Sequence, residues 1–257
     1  MNIFVAPFVN ALFGFYYLLG NLGWSVVVVT ILIRILLFPL LWPSLKSAKK
    51  TRELQPKLKK LQEKYKGDKQ QLAKAQMELY KQEGVNPLSG CLPQILQIAV
   101  LMLFFWAFNM VSGYSAGNGN MADINKLLIS SYRIDESFVF EPDFLGNNLA
   151  MSPAKEFSAG VGSNMILPII LLLGSAILQF LSSKLMMPSV KVDKSVVKKT
   201  KDKEDDMMSI MRTQSTYMMP AMTLFIGWNF SLGILLYWFV NTLVMLGQQL
   251  IAEKVQK

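Results

Sequence analysis

The chain has 257 residues, of which 52% are hydrophobic, and it carries a formal net charge of +9 with no histidine and one cysteine. The absence of histidine excludes every mechanism that needs a histidine base or a histidine metal ligand, and one cysteine excludes an intrachain disulfide. The apolar composition indicates a membrane protein. The placement of the charges must then decide whether the net charge of +9 reflects nucleic-acid binding or membrane topology.

Long charge-free runs predict the membrane spans, because a helix needs roughly 20 apolar residues to cross the bilayer. Residues 1–20 are apolar but short, and we expect an external interfacial helix there rather than a sixth span. The run at 213–252 would be about 60 Å long as one helix, so it must fold back near Asn229–Gly233 into two spans. The prediction is an all-α, five-span membrane protein with these segments: interfacial helix 1–20, first span 21–43, cytoplasmic basic hairpin 44–84, second span 85–112, external loop 113–163, third span 164–187, flexible cytoplasmic loop 188–212, fourth span 213–230, fifth span 231–250 and cytoplasmic tail 251–257.

The charges alternate across successive spans. Segment 44–84 has a net charge of +7, segment 113–163 of −3 and segment 184–212 of +3. By the positive-inside rule, the basic segments and the C-terminus are cytoplasmic, and the N-terminus and the acidic loop are outside. The net charge of +9 therefore reflects topology, and we expect no direct recognition of nucleic acid.

Segment 44–84 has the pattern of a helical hairpin. Leu54, Leu58 and Leu61 recur at helical spacing, Gly67-Asp68 signals a turn, and Pro56 either kinks the first arm or begins a new helix. A simple solvated connection is the alternative, but about 40 residues is long for a connection. We expect a docking platform for a cytoplasmic partner, with these candidate residues: Lys57, Lys59, Lys60, Lys64 and Lys66.

Arg34 lies inside the first predicted span, where a charge costs about 2.5–3.5 kcal/mol on insertion scales. The alternative is that the side chain snorkels to the cytoplasmic surface, but Arg34 lies too far from the end of the span to reach it easily. No Asp or Glu occurs in the other predicted spans, so its surroundings must supply neutral acceptors and water. We predict a hydrated polar pocket, open to the cytoplasm, that attracts acidic or polar peptide segments. Candidate lining residues on the spans are Thr30, Gln94, Gln97, Ser175, Gln179, Ser182, Asn241, Gln248 and Gln249.

Four stretches resemble the YidC/Oxa/Alb family of membrane protein insertases. They lie in order along residues 20–252. Each is moderately specific, and the four in order, with matching topology, are highly specific. The stretches are Val29–Leu40 around Arg34; Leu79–Lys81 with Asn86–Pro93 and Gln97; Met218-Met219-Pro220; and Gly233–Trp238 with Gln248-Gln249.

The resemblance implies a five-span core with a hydrophilic groove that is open to cytoplasm and lipid and closed outside. In the family's pattern Arg34 matches the groove arginine, Thr30 the polar residue one turn before it, and Tyr237 and Trp238 the aromatic pair of the last span. The implied function is insertion and folding of nascent membrane proteins in the bacterial plasma membrane, alone or with the Sec translocon.

The sequence departs from the family in three respects. We expect no large periplasmic domain and no long basic C-terminal tail, so any ribosome contact would depend on the loops. The family's usual Pro-x-Gly turn is here Ser231-Leu232-Gly233.

We expect no enzyme activity, cofactor or metal, because neither a nucleotide-binding glycine loop nor a metal-ligand pattern occurs in the sequence. A small anion transporter or channel with Arg34 in its path is the alternative, although an internal repeat is lacking. An intramembrane protease fits worst, since the spans contain no Asp and no Lys well inside them, as a paired-aspartate or Ser-Lys site would need.

Overall fold

The computed structural model of the chain describes residues 2–65, 68–85, 92–115, 120–135, 138, 141–160, 162–186 and 214–255. A π-helix covers Gln214–Met218, short 3-10 helices cover Ser130–Tyr132 and Ser163–Met165, and β1 (Asp143–Phe144) pairs antiparallel with β2 (Asn147–Asn148). All other elements of the described residues are α-helices, which confirms the prediction of an all-α fold. The α-helices are α1 (Asn2–Leu19), α2 (Leu22–Glu53), α3 (Gln55–Lys64), α4 (Lys69–Gln82), α5 (Leu92–Ser115), α6 (Met121–Asn125), α7 (Pro153–Ala159), α8 (Ile166–Met186), α9 (Met219–Gly227) and α10 (Leu232–Val255).

Four helices of the described residues are long and apolar enough to cross a membrane: α2, α5, α8 and α10. The predicted fourth span falls on the π-helix and α9, and the residues before it, 187–213, lie outside the described part of the chain. The predicted flexible loop 188–212 therefore stays a prediction. α1 is apolar but shorter than the four long helices, and its placement on the outer surface also stays a prediction.

The first long helix does not end where the first span was expected to end. α2 begins at the N-cap Asn21, whose side chain accepts a hydrogen bond from the Trp24 backbone N–H, and it runs for 32 residues to Glu53. It passes through Pro39 and Pro43 without a break. At 1.5 Å per residue the helix measures about 48 Å, so its last turns extend beyond a hydrocarbon core of about 30 Å.

The hairpin arms are α3 and α4. Pro56 lies in the first turn of α3 and begins a new helix, where a missing N–H is tolerated. Asp68 caps α4 by accepting a hydrogen bond from the Gln71 backbone N–H, whereas Gly67 lies outside the described residues. The arms pack at their base through a small buried cluster: Leu54, Leu58, Tyr80 and Val85.

The segment between α5 and α8, which the charges predict to be external, packs on one end of the bundle where it is described. Asn10 of α1 donates to the Leu127 carbonyl and accepts from the Ile129 N–H. The backbone N–H groups of Leu232 and Gly233 donate to the carbonyls of Met151 and Leu149. These contacts join the external segment to α1 and to the start of α10.

The core forms around α10, which packs against α2, α5 and α8. Tyr237 is 1% exposed, and its ring stacks on Phe104 of α5 with the centroids 4.3 Å apart. α9 lies at the periphery and packs mainly on α8. The first, second and fifth predicted spans therefore meet around Arg34, Gln97 and Asn241.

Candidate functional site

Arg34 lies on the buried face of α2. Val26, Thr30 and Arg34 repeat every four residues, so they point the same way. The residue is only 5% exposed. The helical period therefore turns the charge toward the other helices of the bundle rather than toward lipid.

Two amides from two other helices bind the Arg34 side chain. Its Nε donates to Asn241 Oδ1 of α10 at 2.5 Å, and one Nη donates to Gln97 Oε1 of α5. Gln248 of α10 also donates to the backbone carbonyl of Arg34 at 2.9 Å. No carboxylate is bonded to Arg34 within the described residues, so neutral dipoles alone hold the guanidinium charge.

Thr30 is buried one turn before Arg34, but it bonds within its own helix. Its hydroxyl donates to the Val26 carbonyl at 2.6 Å. This local bond uses the hydroxyl proton and ties the side chain to its own helix. Thr30 therefore lies one turn from Arg34 without holding the guanidinium.

The aromatic pair of α10 is divided between two environments. Tyr237 faces the core next to Arg34 and Gln97, and its hydroxyl has no hydrogen-bond partner among the described residues. Trp238 is half-buried and packs against Phe230, with 6.3 Å between the ring centroids. Only Tyr237 of this pair belongs to the Arg34 cluster.

Gln179 belongs to a different polar contact from the one expected. Its side-chain oxygen accepts a hydrogen bond from Thr223 of α9 at 2.7 Å. Ser183 of α8 bonds to Thr216 of the π-helix at 3.0 Å, and Ser182 donates to Gln249 of α10. These residues form a polar seam that joins α8 to α9 and α10. The sequence singled out Gln179, Ser182 and Gln249 as polar residues around Arg34, whereas these contacts pair them with residues of neighbouring helices.

Arg34 is 5% exposed, and two amide side chains contact its guanidinium. A small cleft lies elsewhere, where the ends of α2, α8 and α10 meet, and Arg52, Leu185 and Glu253 are among the residues that line it. The hydrated pocket open to the cytoplasm stays a prediction.

The candidate docking lysines differ in what they contact. Lys57 pairs with Glu83 at 2.5 Å across the base of the hairpin. Lys60 and Lys64 are exposed, and the Lys64 ammonium lies 5.2 Å from the Tyr65 ring centroid. The side chain of Lys59 and all of Lys66 lie outside the described residues. Lys60 and Lys64 are thus the two described lysines that are available to a partner.

The described residues contain no group of His, Cys, Asp or Glu side chains placed to hold a metal ion. Cys91 lies outside the described part of the chain, as do residues 86–90 of the motif before the second span. The site consists of one cation, neutral amides, hydroxyls and aromatic rings. Such a set can form hydrogen bonds with a polar segment.

Comparison with protein families gives a match over most of the chain. The model of the family described as 60Kd inner membrane protein matches residues 14–257. Together with the four long apolar helices, this match makes the chain an integral, multi-pass membrane protein of the bacterial inner membrane.

The curated relatives have the name membrane protein insertase YidC. The relative from Helicobacter pylori is 50% identical over 90 residues, which cover 35% of this chain and 16% of the relative. The relative from Campylobacter jejuni is 32% identical over 237 residues, or 92% of this chain and 35% of the relative. The relative from Pelobacter propionicus is 29% identical over 255 residues, which cover 99% of this chain and 39% of the relative. The chain thus spans well under half the length of these relatives.

A solved structure has a similar fold. It is described as an active YidC insertase crystal structure with the first transmembrane domain resolved. The two share 21% sequence identity and superpose with a TM-score of 0.56 over 95% of this chain and 44% of that one. At this identity the likeness concerns the fold.

Proposed function

We propose, because the chain belongs to the 60Kd inner membrane protein family, that it inserts nascent membrane proteins into the lipid bilayer and assists their folding. The observation that carries the proposal is the buried Arg34, held between three helices by neutral amides. A charge in this position is costly, and it usually faces a site that handles polar groups within the membrane. Relatives named insertases cover nearly the whole chain.

The Arg34 cluster consists of Arg34, Gln97, Asn241 and Tyr237. It would lower the energy barrier that the polar flank of an incoming segment meets on entering the membrane. Transfer of a peptide group into hydrocarbon without a hydrogen-bond partner costs about 2–7 kcal/mol. Arg34, Gln97 and Tyr237 offer donors and acceptors at that depth. The apolar part of the segment then enters lipid along the outer surface of the bundle, and its burial drives the reaction. We propose a non-catalytic role, in which the Arg34 cluster acts through hydrogen bonds and charge alone.

The topology follows from the charges. We propose that the N-terminus lies outside and that the hairpin and the C-terminus are cytoplasmic. The described external segment then closes the outer end of the bundle through Asn10, Leu149 and Met151. A segment would therefore reach Arg34 from the cytoplasm or from lipid.

The hairpin is the proposed docking element for cytoplasmic partners. α3 and α4 present Lys60 and Lys64 to solvent beside the end of α2. These cations attract anionic surfaces, including lipid headgroups and ribosomes that carry a nascent chain. A Sec translocon is a further proposed partner for substrates that the chain does not insert alone.

An insertion assay in vesicles tests the proposal. The full chain is reconstituted and given a single-span substrate with an acidic external tail, and protection of that tail from protease is measured. Arg34→Gln should reduce the protected fraction by about tenfold, because a hydrogen bond to a charged group contributes about 1.5–3 kcal/mol. Arg133→Gln removes an exposed external arginine and serves as the control, which should leave insertion unchanged.

Two results would contradict the proposal. Equal insertion by wild type and Arg34→Gln would show that the arginine has no role in insertion. Anion flux through the reconstituted protein without insertion of any substrate would instead favour the transporter or channel alternative.

A further inference from the structure

The β-hairpin, which consists of β1, β2 and the two-residue turn between them, is attached to the junction between α1 and α2. Shortly before β1, the Glu141 backbone N–H donates to the Tyr16 hydroxyl of α1 at 3.2 Å. Within β1, the Asp143 carbonyl accepts a hydrogen bond at 3.0 Å from the side-chain amide of Asn21, the N-cap of α2. Because α2 is one of the long apolar helices that cross the membrane, the β-hairpin lies at the level where a membrane-spanning helix begins.

A buried aromatic contact fixes the β-hairpin on the first turn of α2. Phe144 is 4% exposed, and a Cβ added at Gly23 would lie 2.1 Å from its Cδ2. Trp24 meets the same ring edge-on, with 5.6 Å between the ring centroids, and is itself exposed. Ile35, which follows about three helical turns later on the same face of α2, is exposed as well. The β-hairpin therefore lies above an apolar face of α2 that faces outward along the membrane span.

The turn of the β-hairpin carries a leucine in an unfavourable backbone conformation. Leu145 has a φ of 53° and Gly146 a φ of 76°, so both residues are in the left-handed region, as a type I′ turn requires. Asn-Gly is the usual pair in this turn, whereas the left-handed region is unfavourable for leucine. Leu145 is also 68% exposed, so the described residues cover little of its side chain. An apolar surrounding outside the described residues would explain a leucine at this position.

Leu145 belongs to a group of exposed apolar residues around the α1–α2 junction. Leu18 and Leu19 end α1, and Trp24 lies in the first turn of α2; all three are exposed. Asp143, by contrast, places an exposed carboxylate two residues before the tip. Leucine is favoured among acyl chains, the tryptophan ring at the level of the headgroups, and the carboxylate in water. This arrangement fits a shallow position at the surface of a bilayer.

We propose that the β-hairpin is a membrane anchor whose tip, Leu145, enters the acyl chains of the leaflet next to the start of α2. Phe144 stays packed on α2, and the Asp143 carboxylate stays in water, so the insertion is shallow. The Leu149 carbonyl just after the β-hairpin accepts from the Gly233 N–H at 2.9 Å. The anchor thus holds the starts of α2 and α10 at one depth in the bilayer.

A membrane anchor requires only that the chain spans the bilayer, so it stands apart from the proposed insertase function. Loss of the anchor would leave insertion of substrates to be tested separately, and a chain without insertase activity could still have the anchor. A second copy of the chain is the other candidate for covering Leu145. The measurement must therefore distinguish lipid, water and protein around one side chain.

NMR of leucine methyl groups tests the anchor on the unaltered side chain. The full chain with labelled leucine methyl groups is placed in phosphatidylcholine nanodiscs, one copy per disc. Leu145→Asn identifies the Leu145 signals by their loss, since Asn accepts the left-handed conformation. A lipid with a nitroxide near the carbonyl end of its acyl chain should remove the Leu145 signals, and a water-soluble gadolinium chelate should leave them. A nitroxide at the methyl end of the acyl chain should have a smaller effect, because the insertion is shallow.

Two controls come from the same segment. Leu149 is fully buried, so its signals should be affected less than those of Leu145 by the nitroxide near the carbonyl end. Asn148→Leu introduces methyl groups at an exposed position opposite Asp143 in the β-ladder. These methyl groups should lose their signals to the gadolinium chelate and keep them with the nitroxide lipids.

Three results would overturn the anchor. Loss of the Leu145 signals to the gadolinium chelate, with retention beside the nitroxide lipids, would place the tip in water. Retention with both kinds of probe would show that protein covers the tip, and discs with two copies would then reveal whether a second chain does so. Equal loss at Leu145 and in Asn148→Leu beside the nitroxide lipid would show that the tip has no special contact with the bilayer.

Discussion

The ring of Phe108 in α5 lies directly on the backbone of Gly233 in α10. A Cβ added at Gly233 would lie 1.9 Å from Phe108 Cζ, far inside van der Waals contact. Both residues are buried, and Phe108 is fully so. The first turn of α10 therefore approaches α5 at a distance that only glycine permits.

We expect Gly233→Ala to destabilise the protein by about 1–3 kcal/mol, since overpacking of a dense core has this cost. Gly247→Ala in the same helix is the matched control, because nothing lies within 4 Å of a Cβ added there. The control should stabilise α10 by about 0.5–1 kcal/mol, the usual difference between alanine and glycine within a helix. Thermal unfolding in detergent measures both, and equal behaviour of the two variants would contradict the packing argument.

The same glycine shows what the sequence predicts and what it does not. Charge-free runs predict the long apolar helices, and an isolated cation within such a run identifies Arg34, because both follow from the cost of burying charge. In the sequence Gly233 reads as part of a turn, whereas its role is packing against a residue 125 positions earlier. Contacts between distant segments leave no local pattern.

The candidate site also has some contacts that the sequence predicts and others that it does not. Arg34 and Gln97 meet as expected of polar residues in apolar helices. Gln179 meets Thr223 instead, because the side of α8 on which it lies faces α9. The external segment reads as an irregular loop, yet Phe144 packs on Gly23 and Trp24 and orders it. The composition of such a loop does not indicate which residues it packs against.

Asn10 is a specific anchor for the external segment. Its amide donates to the Leu127 carbonyl at 2.7 Å and its oxygen accepts from the Ile129 N–H at 2.8 Å. Asn10→Leu should release residues 127–135 and raise their amide hydrogen exchange by about 30-fold, because two hydrogen bonds of about 1 kcal/mol each are lost. Asn164→Leu, at an exposed position outside this contact, is the control. Unchanged exchange at Ile129 in Asn10→Leu would show that the anchor is unnecessary.

Arg52, near the end of α2, joins this end to the ends of α8 and α10. It donates to the Leu185 carbonyl of α8 at 2.8 Å and pairs with Glu253 of α10 at 3.1 Å. Both side chains are partly exposed, so the ion pair itself should contribute only about 0.2–1 kcal/mol. Arg52→Ala should destabilise the protein more than Glu253→Ala, since Arg52 also loses the bond to the carbonyl.

A double-mutant cycle separates the two contacts of Arg52. The coupling between Arg52→Ala and Glu253→Ala should remain below about 1 kcal/mol and decrease at high salt. The bond to the Leu185 carbonyl should resist salt more strongly, because its acceptor is uncharged. Equal destabilisation by the two single variants would indicate that the carbonyl contact contributes nothing.

Lys60 and Lys64 should determine how strongly the hairpin binds an anionic cytoplasmic partner. Both side chains are exposed, whereas Lys57 is paired with Glu83. Reversal of both charges, Lys60→Glu with Lys64→Glu, should weaken binding of ribosomes that carry a nascent membrane protein by about threefold or more, because each exposed charge contact contributes about 0.2–1 kcal/mol. Sedimentation of the full chain in nanodiscs with these ribosomes measures the change. Lys155→Glu, an exposed external lysine, is the control and should bind as wild type does. Raising the salt concentration should remove the difference between the variants, whereas equal binding by the double variant and wild type at low salt would exclude these two lysines from docking.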